Sequence, residues 1–365
     1  MAKPNHLTAQ DLLARQRFLT TGDSALDRVL EGGIPAWGLT EIAGTSASGK
    51  TQLCLQLSLT AQLPIALGGL DGEVVYFSTE DAFPSRRLAE LAGIFTQRYA
   101  QQLGSIEQPD GQIKEEVHGK PQQQQWQAAW NPRDHVWTDH ILLSHLPDLE
   151  TQDHILTYQL PVLLARGRVK LVVIDSIAAN IRAEEFNAQE QMRRTNAPPV
   201  NFYHERQHHL NRLALRLKRW SEEYGVAVVC VNQVSDIVGV SGDGNHHQRG
   251  ETCIFNGDGD GGGGGGEVMA AATWFQQPQQ QQRSRPSERI RPALGFSWTQ
   301  SVNTRLLLAR PLHPVGDQAM VGSGSDVDQA VATRQLEVVL APHLPNQLVT
   351  CQIRRDGVTV LEKVS

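Results

Sequence analysis

The sequence predicts an α/β fold: a mostly parallel, twisted sheet with helices on both faces. Short apolar runs without alternation recur along the chain, as strands buried on both faces require. Amphipathic helical stretches lie between them, and this alternation of strand and helix is that of a layered parallel sheet. Beyond residue 300 the pattern turns β-rich and adds edge strands. A chain of 365 residues, 40% of them hydrophobic, can bury such a core.

The elements follow in order. "TAQDLLARQRF", within residues 1–20, reads as a short polar helix leading into a core that spans 21–365. Leu39–Ala43 is a predicted strand, and Thr51–Leu63 a helix with Leu53, Leu57 and Thr60 at helical spacing. Glu73–Thr79, Lys170–Ser176 and Val226–Asn232 are three buried parallel strands. Between the last two, "HLNRLALRLKRWSEEYG" places Leu210, Leu213, Leu217, Trp220 and Tyr224 on one face and stops at Gly225. "TRLLLAR", "QLEVVLA" and "LVTCQIRRDGVTV" are strands at the sheet's edge, with a hairpin turn at "RDG".

Three polar segments interrupt this plan: 104–137 with "QQQQ", 184–203 with charges, asparagines and two prolines, and 236–292 with "GDGDGGGGGG" and "QQPQQQQ". Such compositions bury too little apolar surface to offset their ordering entropy, so they read as mobile loops.

Composition bounds the function. Cys54, Cys230, Cys253 and Cys351 show no paired spacing, which suits a reducing intracellular compartment without a disulfide framework or zinc knuckle. No apolar run approaches the roughly 20 residues of a membrane span, and the N-terminus lacks a signal-peptide core. A soluble intracellular protein is expected, with no membrane partner. The formal net charge of −6 argues against a surface that attracts nucleic acid as a whole. Any nucleic-acid binding must come from local basic segments.

The chemistry centres on "GTSASGKT", Gly44-Thr45-Ser46-Ala47-Ser48-Gly49-Lys50-Thr51. A strand precedes it and a helix follows, the context in which G-x-x-x-x-G-K-[ST] cradles phosphates. Gly44 and Gly49 allow the tight turn, backbone N–H groups and the helix start wrap the phosphates, and Lys50 reaches the β- and γ-phosphates. The Thr51 hydroxyl would ligate Mg2+. Asp175 ends the apolar strand "LVVID", the usual place of the carboxylate that holds the magnesium. The expected ligands are therefore ATP and Mg2+. Glu80 ends "VVYFSTE", where a carboxylate can polarise a water attacking the γ-phosphate or simply be solvated. Gln233 ends "VVCVNQ", where it can sense the γ-phosphate or be an ordinary strand-end amide.

These segments carry a resemblance. "GTSASGKTQLCLQL", "VVYFSTEDAFPSRRL", "LVVIDSIAA" and "VNQV", with the lead-in "TTGDSALDRVLEGGIPAWGLTEIAG", resemble the RecA-type recombinases of eukaryotes and archaea. Within that family "EDAFPSRRL", "PVLLARG", "ALGFSWTQSVNTRLLLAR" and "APHLP" are most similar to one of its DNA-repair paralogs. The resemblance covers nearly all of residues 7–361 outside the three inserts. It implies a RecA-like P-loop ATPase core, a nuclear role in double-strand break repair by homologous recombination, single-stranded or branched DNA as a ligand, and another recombinase paralog as partner in a hetero-oligomer.

Position by position, Lys50 and Thr51 match the phosphate-loop pair, Asp175 the magnesium aspartate, Glu80 the catalytic glutamate and Gln233 the switch glutamine. Ala341–Pro345 falls where the family caps ATP on a neighbouring subunit. Ile181–Val200 and Ser235–Pro292 fall where two DNA-facing loops lie. This makes Arg182, Arg193 and Arg194 of the first loop, and Arg283, Arg285, Arg289 and Arg291 of the second, candidate phosphate contacts rather than solvated charges. The sequence departs from the family in two ways: the phosphate loop begins at residue 44, without the small helical domain expected before it, and the second loop is enlarged. His6 occupies the place of an aromatic assembly anchor, which points to weak self-assembly.

Two further signals are weak. His208–His209 and His246–His247 have no matching metal-ligand set and read as solvated histidines. Asn256–Glu267 has calcium-hand spacing but lacks an entering helix, so a flexible insert is the better reading. Two other function classes remain open at this point. One is a small-molecule P-loop kinase, although such enzymes keep the magnesium aspartate closer to the phosphate loop. The other is a nucleotide-gated scaffold without useful turnover.

Overall fold

The computed structural model describes residues 10, 16–79, 82–104, 130–195, 202–236, 285–311 and 332–361. A short antiparallel ribbon, β1 (Phe18–Leu19) with β2 (Ile34–Pro35), opens the core, and α1 (Ser24–Val29) lies between its strands. Phe18–Leu19, within the span expected as lead-in, pair with the core. Leu19 is fully buried, and the Thr20 N–H donates to the Gly68 carbonyl at 2.9 Å.

β3 (Leu39–Gly44) is buried along its whole length, as its apolar run requires. It feeds α2 (Lys50–Thr60) through the glycine-serine turn. β4 (Glu73–Ser78) leads to α3 (Ser85–Gly104), and β5 (Ile141–His145) follows. α4 (Leu149–His154) continues through a π-helical turn into α5 (Leu160–Leu164). β6 (Val169–Asp175) then feeds α6 (Ile177–Thr195), and α7 (Phe202–Tyr224) precedes β7 (Ala227–Asn232). β8 (Val234–Asp236) and β9 (Ile290–Pro292) form a small antiparallel ribbon, with α8 (Pro286–Arg289) just before β9 and α9 (Gly295–Ser301) after it. β10 (Thr304–Ala309), β11 (Ala332–Leu340), β12 (Gln347–Arg354) and β13 (Gly357–Val360) complete the chain.

The main sheet has nine strands in the order β13-β12-β11-β10-β3-β7-β6-β4-β5. Pairing is parallel from β10 to β5 and antiparallel from β10 to β13. The expected architecture holds, including the β-rich edge and its hairpin. Parallel register brings the C-terminal ends of β3, β4, β6 and β7 to one edge: Ser78 pairs with Asp175, and Ala43 with Asn232. In open α/β sheets ligands bind at that edge.

Two apolar layers cover the sheet. One contains Leu53, Leu57, Leu91, Phe95, Trp137 and Val358. The other contains Leu160, Ile177, Leu210, Leu213, Leu217 and Trp298, with Trp220 and Tyr224 packed against it. α2 is buried beyond the face marked by Leu53, Leu57 and Thr60: its polar residues Gln56 and Ser58 are buried as well. Gln56 explains how. Its amide nitrogen donates to the carbonyls of Thr21 (2.6 Å) and Val358 (3.2 Å), and its oxygen accepts from the Val358 N–H (2.7 Å). A buried amide satisfied in this way ties the phosphate-loop helix to the C-terminal hairpin.

The three polar segments are shorter than their composition suggests. α6 and α7 occupy most of 184–203, read above as a loop. The first part of that stretch is rich in helix-forming Ala, Glu, Gln and Arg, and Glu190 pairs with Arg194 one turn on at 3.2 Å. Within residues 130–137 the rings pack on the core: Trp137 is 3% exposed and meets Trp130 and His135 edge to face, while Trp130 and His135 are tilted against each other. Residues 285–292 form α8 and β9. The remaining parts of these segments, most of the expected N-terminal helix, His6–Ala9, His246–His247 and Asn256–Glu267 lie outside the described residues, while Phe18, its expected last residue, is in β1.

Candidate nucleotide site

At the C-terminal edge of the parallel strands lies a cleft of about 600 Å3, lined by Gly44, Ser46–Thr51, Asp175, Arg182, Gln233 and Ile353 among others. Its floor needs glycine. A Cβ on Gly44 would meet the Leu308 carbonyl oxygen of neighbouring β10 at 2.1 Å. Gly49 caps α2 with φ 106°, a left-handed conformation that favours glycine, and its Cβ would strike Ile353 at 2.6 Å. Ser48 is fully buried, and its hydroxyl and that of Thr45 have no protein partner. Buried hydroxyls of this kind need an acceptor or donor from a ligand or water.

The charged groups converge on this floor. Lys50 Nζ donates to the Gly44 and Thr45 carbonyls at 2.9 and 2.8 Å. The Thr51 hydroxyl donates to Asp175 Oδ2 at 2.7 Å, and the Tyr76 hydroxyl reaches the same oxygen at 2.8 Å. The backbone beyond Asp175 is pinned by Ser176 N–H donating to Thr79 Oγ1 at 3.0 Å. A hydroxyl and a carboxylate in contact beside a phosphate cradle are a donor set that fits Mg2+. Burial, with the nearby Asp175 charge adding, raises the Cys54 thiol well above its usual range, so it stays neutral behind the loop.

Gln233, which directly follows β7, lines the cleft, and its Oε1 accepts a hydrogen bond from Arg182 Nη1. Arg182 therefore faces the cleft, although it was expected among DNA contacts. The other arginines lie elsewhere. Arg193 is on α6 and Arg289 ends α8. Arg194 is exposed and paired with Glu190. Arg285 lies 3.9 Å from the buried Glu337, and Arg291 is exposed on β9. Glu80 and Arg283 lie outside the described residues, which resume after Thr79 at Ala82.

Several contributors could not be read from the sequence. Tyr76, mid-strand in β4, looked like core. Arg87 on α3 donates to Gln52 Oε1 (2.8 Å) and to the Arg354 carbonyl (2.7 Å), bracing the cleft's outer wall. Arg334 Nη2 donates to the Ala47 carbonyl at 3.0 Å, and its burial, reinforced by Arg310, lowers its pKa. Beneath the site, Glu41 is fully buried and accepts from Arg305 Nε, Trp298 Nε1 (2.9 Å) and Asn232 Nδ2 (2.7 Å). His209, read above as solvated, is half-buried, its Nε2 has no partner, and burial lowers its pKa. Ala341–Pro345 packs beside the core: the His343 ring lies 5.6 Å from Phe18 and 6.4 Å from Trp37.

The Rad51 family profile matches residues 14–109 and 133–276. The chain belongs to the Rad51 family. It is 35% identical over 345 residues to the DNA repair protein rhp57 of Schizosaccharomyces pombe, a match covering 94% of this chain and 79% of that protein. It is 30% identical over 340 residues to the DNA repair protein XRCC3 of mouse, covering 93% and 74%. With the Arabidopsis thaliana XRCC3 homolog the identity is 28% over 365 residues, 97% of each chain. The paralog singled out by the quoted segments, the X-ray repair cross-complementing group-three protein, is thus among the Rad51-family relatives that this chain resembles over nearly its whole length. These relatives are DNA repair proteins. Among the described residues no helix is long and apolar enough to cross a membrane.

Proposed function

We propose that this Rad51-family chain binds ATP with Mg2+ and hydrolyses it slowly in response to DNA. In this reading it acts in the nucleus in double-strand break repair by homologous recombination, together with another recombinase paralog. The observation that carries the reading is the Thr51–Asp175 contact at 2.7 Å beside a glycine floor that admits no Cβ. Gly44–Thr51 would hold the phosphates, with Lys50 swinging from the Gly44 and Thr45 carbonyls to the phosphate oxygens. Thr51 and Asp175 would hold the magnesium, which neutralises phosphate charge when bound. Glu80 would orient the attacking water, and Gln233 would report the γ-phosphate to β8.

Single-stranded DNA would be held by Arg193, Arg194, Arg283, Arg285, Arg289 and Arg291. The exposed rings of Phe186 and Phe296 offer stacking surfaces to unpaired bases. A cleft that discriminates nucleotides and basic segments that respond to salt are separable in experiment. Nucleotide titration and single-turnover hydrolysis, each with and without single-stranded DNA, test the reading. Lys50→Ala should weaken ATP binding by roughly tenfold to a hundredfold, the worth of a charged hydrogen-bond donor. Glu80→Gln should keep binding and lose turnover, because the glutamate acts on water only during reaction. Equal loss of binding in both folded variants would sink the assignments.

A further inference from the structure

Arg182 is the second residue of the segment expected to face DNA, Ile181–Val200, and it lines the nucleotide cleft. It shares that cleft with Lys50, Thr51 and Asp175, and its Nη1 donates to Gln233 Oε1. A closed ring of contacts holds this pair in place. Glu185, three residues after Arg182 on α6, pairs with Arg206 of α7 at 2.8 Å, both side chains being mostly buried. Arg206 Nη2 reaches the Ala293 carbonyl at 3.4 Å. The Ala293 N–H donates to the Gln233 carbonyl at 2.9 Å, which returns to Arg182 through the Gln233 amide. The ring therefore runs α6, α7, the turn after β9, the end of β7, and back to α6. It joins the bases of both basic segments across one wall of the cleft.

We propose that Arg182 is a nucleotide-specificity residue: it reads the distal phosphate of a nucleoside triphosphate while holding Gln233 toward it. This rests on the ATP reading given above. The chemistry follows from donor counts. A guanidinium carries five N–H donors, and the Gln233 oxygen takes one, leaving a planar fork suited to phosphate oxygens. The phosphate loop supplies its own donors to the inner phosphates, so a cation on the facing wall discriminates by the phosphate that a diphosphate lacks. Arg182 also becomes a shared link, because α6 and the β8–β9 ribbon both respond when the guanidinium turns to the ligand.

The test compares the Kd of β,γ-imido ATP with that of ADP, both with Mg2+, for the full-length chain. Arg182→Gln should weaken the triphosphate analogue about tenfold and ADP less than twofold, and Arg182→Lys should recover part of the difference. Gln233→Glu, which turns the partner amide into a carboxylate, should weaken the analogue selectively as well. Equal losses for both nucleotides, or none, would overturn the inference while leaving ATP binding in place. A folded wild-type chain that binds neither nucleotide overturns the ATP reading itself, and this inference with it. The salt dependence of single-strand binding, measured without nucleotide, gives an independent readout. It should be unchanged in Arg182→Gln, and a log–log slope reduced by about 0.7, the loss of one phosphate contact, would return Arg182 to the DNA site and overturn the proposal.

Discussion

The nucleotide cleft and the arginine-bearing segments contrast in how their side chains are held. In the cleft almost every functional group is fixed by a contact from another part of the chain: Asp175 by Tyr76, Gln52 by Arg87, the loop carbonyl of Ala47 by Arg334. The exposed arginines are held by local, solvated pairs such as Arg194 with Glu190, or by a long contact such as Arg285 with Glu337. A site that must discriminate one phosphate benefits from preorganisation, since misplacement by an ångström is costly. A site that accepts any single strand benefits from side chains free to follow the backbone. The two regions therefore differ in what a substitution should cost.

The largest effect should come from beneath the cleft. Glu41→Gln removes the charge that balances buried Arg305 and disturbs the bonds from Trp298 and Asn232. Breaking one side of a buried ion pair costs about 3–5 kcal/mol. Urea unfolding should show a loss of that size, with weaker nucleotide binding because Asn232 immediately precedes Gln233. A loss below about 1 kcal/mol would mean that the Glu41 cluster does not support the cleft.

What the sequence made legible follows the same contrast. The phosphate loop, Asp175 and Gln233 were readable because their chemistry is local: a strand end, a fixed spacing, a helix start. The sheet was readable because its strands are continuous apolar runs. Tyr76, Arg87, Arg334 and Glu41 were not, since their partners stand far away in the chain and only the sheet order brings them together. The wall that Arg182 faces was hidden for a related reason. The neighbours of Arg182 read as loop, but α6 continues through them, and the helix phase decides which wall an arginine meets. The helix itself was hidden by its polarity, which one-sided patterning treats as loop although ion pairs one turn apart can sustain it.

A moderate effect is expected on the α3 side of the core, away from both regions. His135 is half-buried between Trp130 and Trp137, stacks on His140 at 4.7 Å, and lies 2.9 Å from Gln62 Oε1. Burial, and then the His140 charge, push its pKa down to about 4. The unfolded chain, with an ordinary histidine pKa near 6.5, takes up the proton first, so stability is full above about pH 6.5 and falls as the pH drops toward 4. Solvent screening of a half-exposed ring limits the effect to about 1 kcal/mol. His135→Gln should flatten the melting temperature between pH 7 and pH 5 while leaving nucleotide affinity untouched. An unchanged pH profile would remove His135 as the titrating group.

The smallest effect on the fold should come from the arginines themselves, and there the contrast becomes sharpest. Arg194 is 76% exposed and pairs with Glu190 one turn earlier on α6. Exposed i,i+4 pairs contribute about 0.3–0.5 kcal/mol, and salt screens them further. Arg194→Ala should therefore leave the unfolding midpoint and the ATP affinity almost where they are. The same substitution should reduce the log–log salt slope of single-strand binding by about 0.7 if Arg194 meets one DNA phosphate. Glu190→Gln completes the comparison: it frees the guanidinium from its partner, so DNA affinity at low salt should rise slightly with the fold unchanged. If Arg194→Ala instead destabilises the chain as much as Glu41→Gln, the arginine is a structural member of α6, and the division between a held cleft and free arginines fails at this residue.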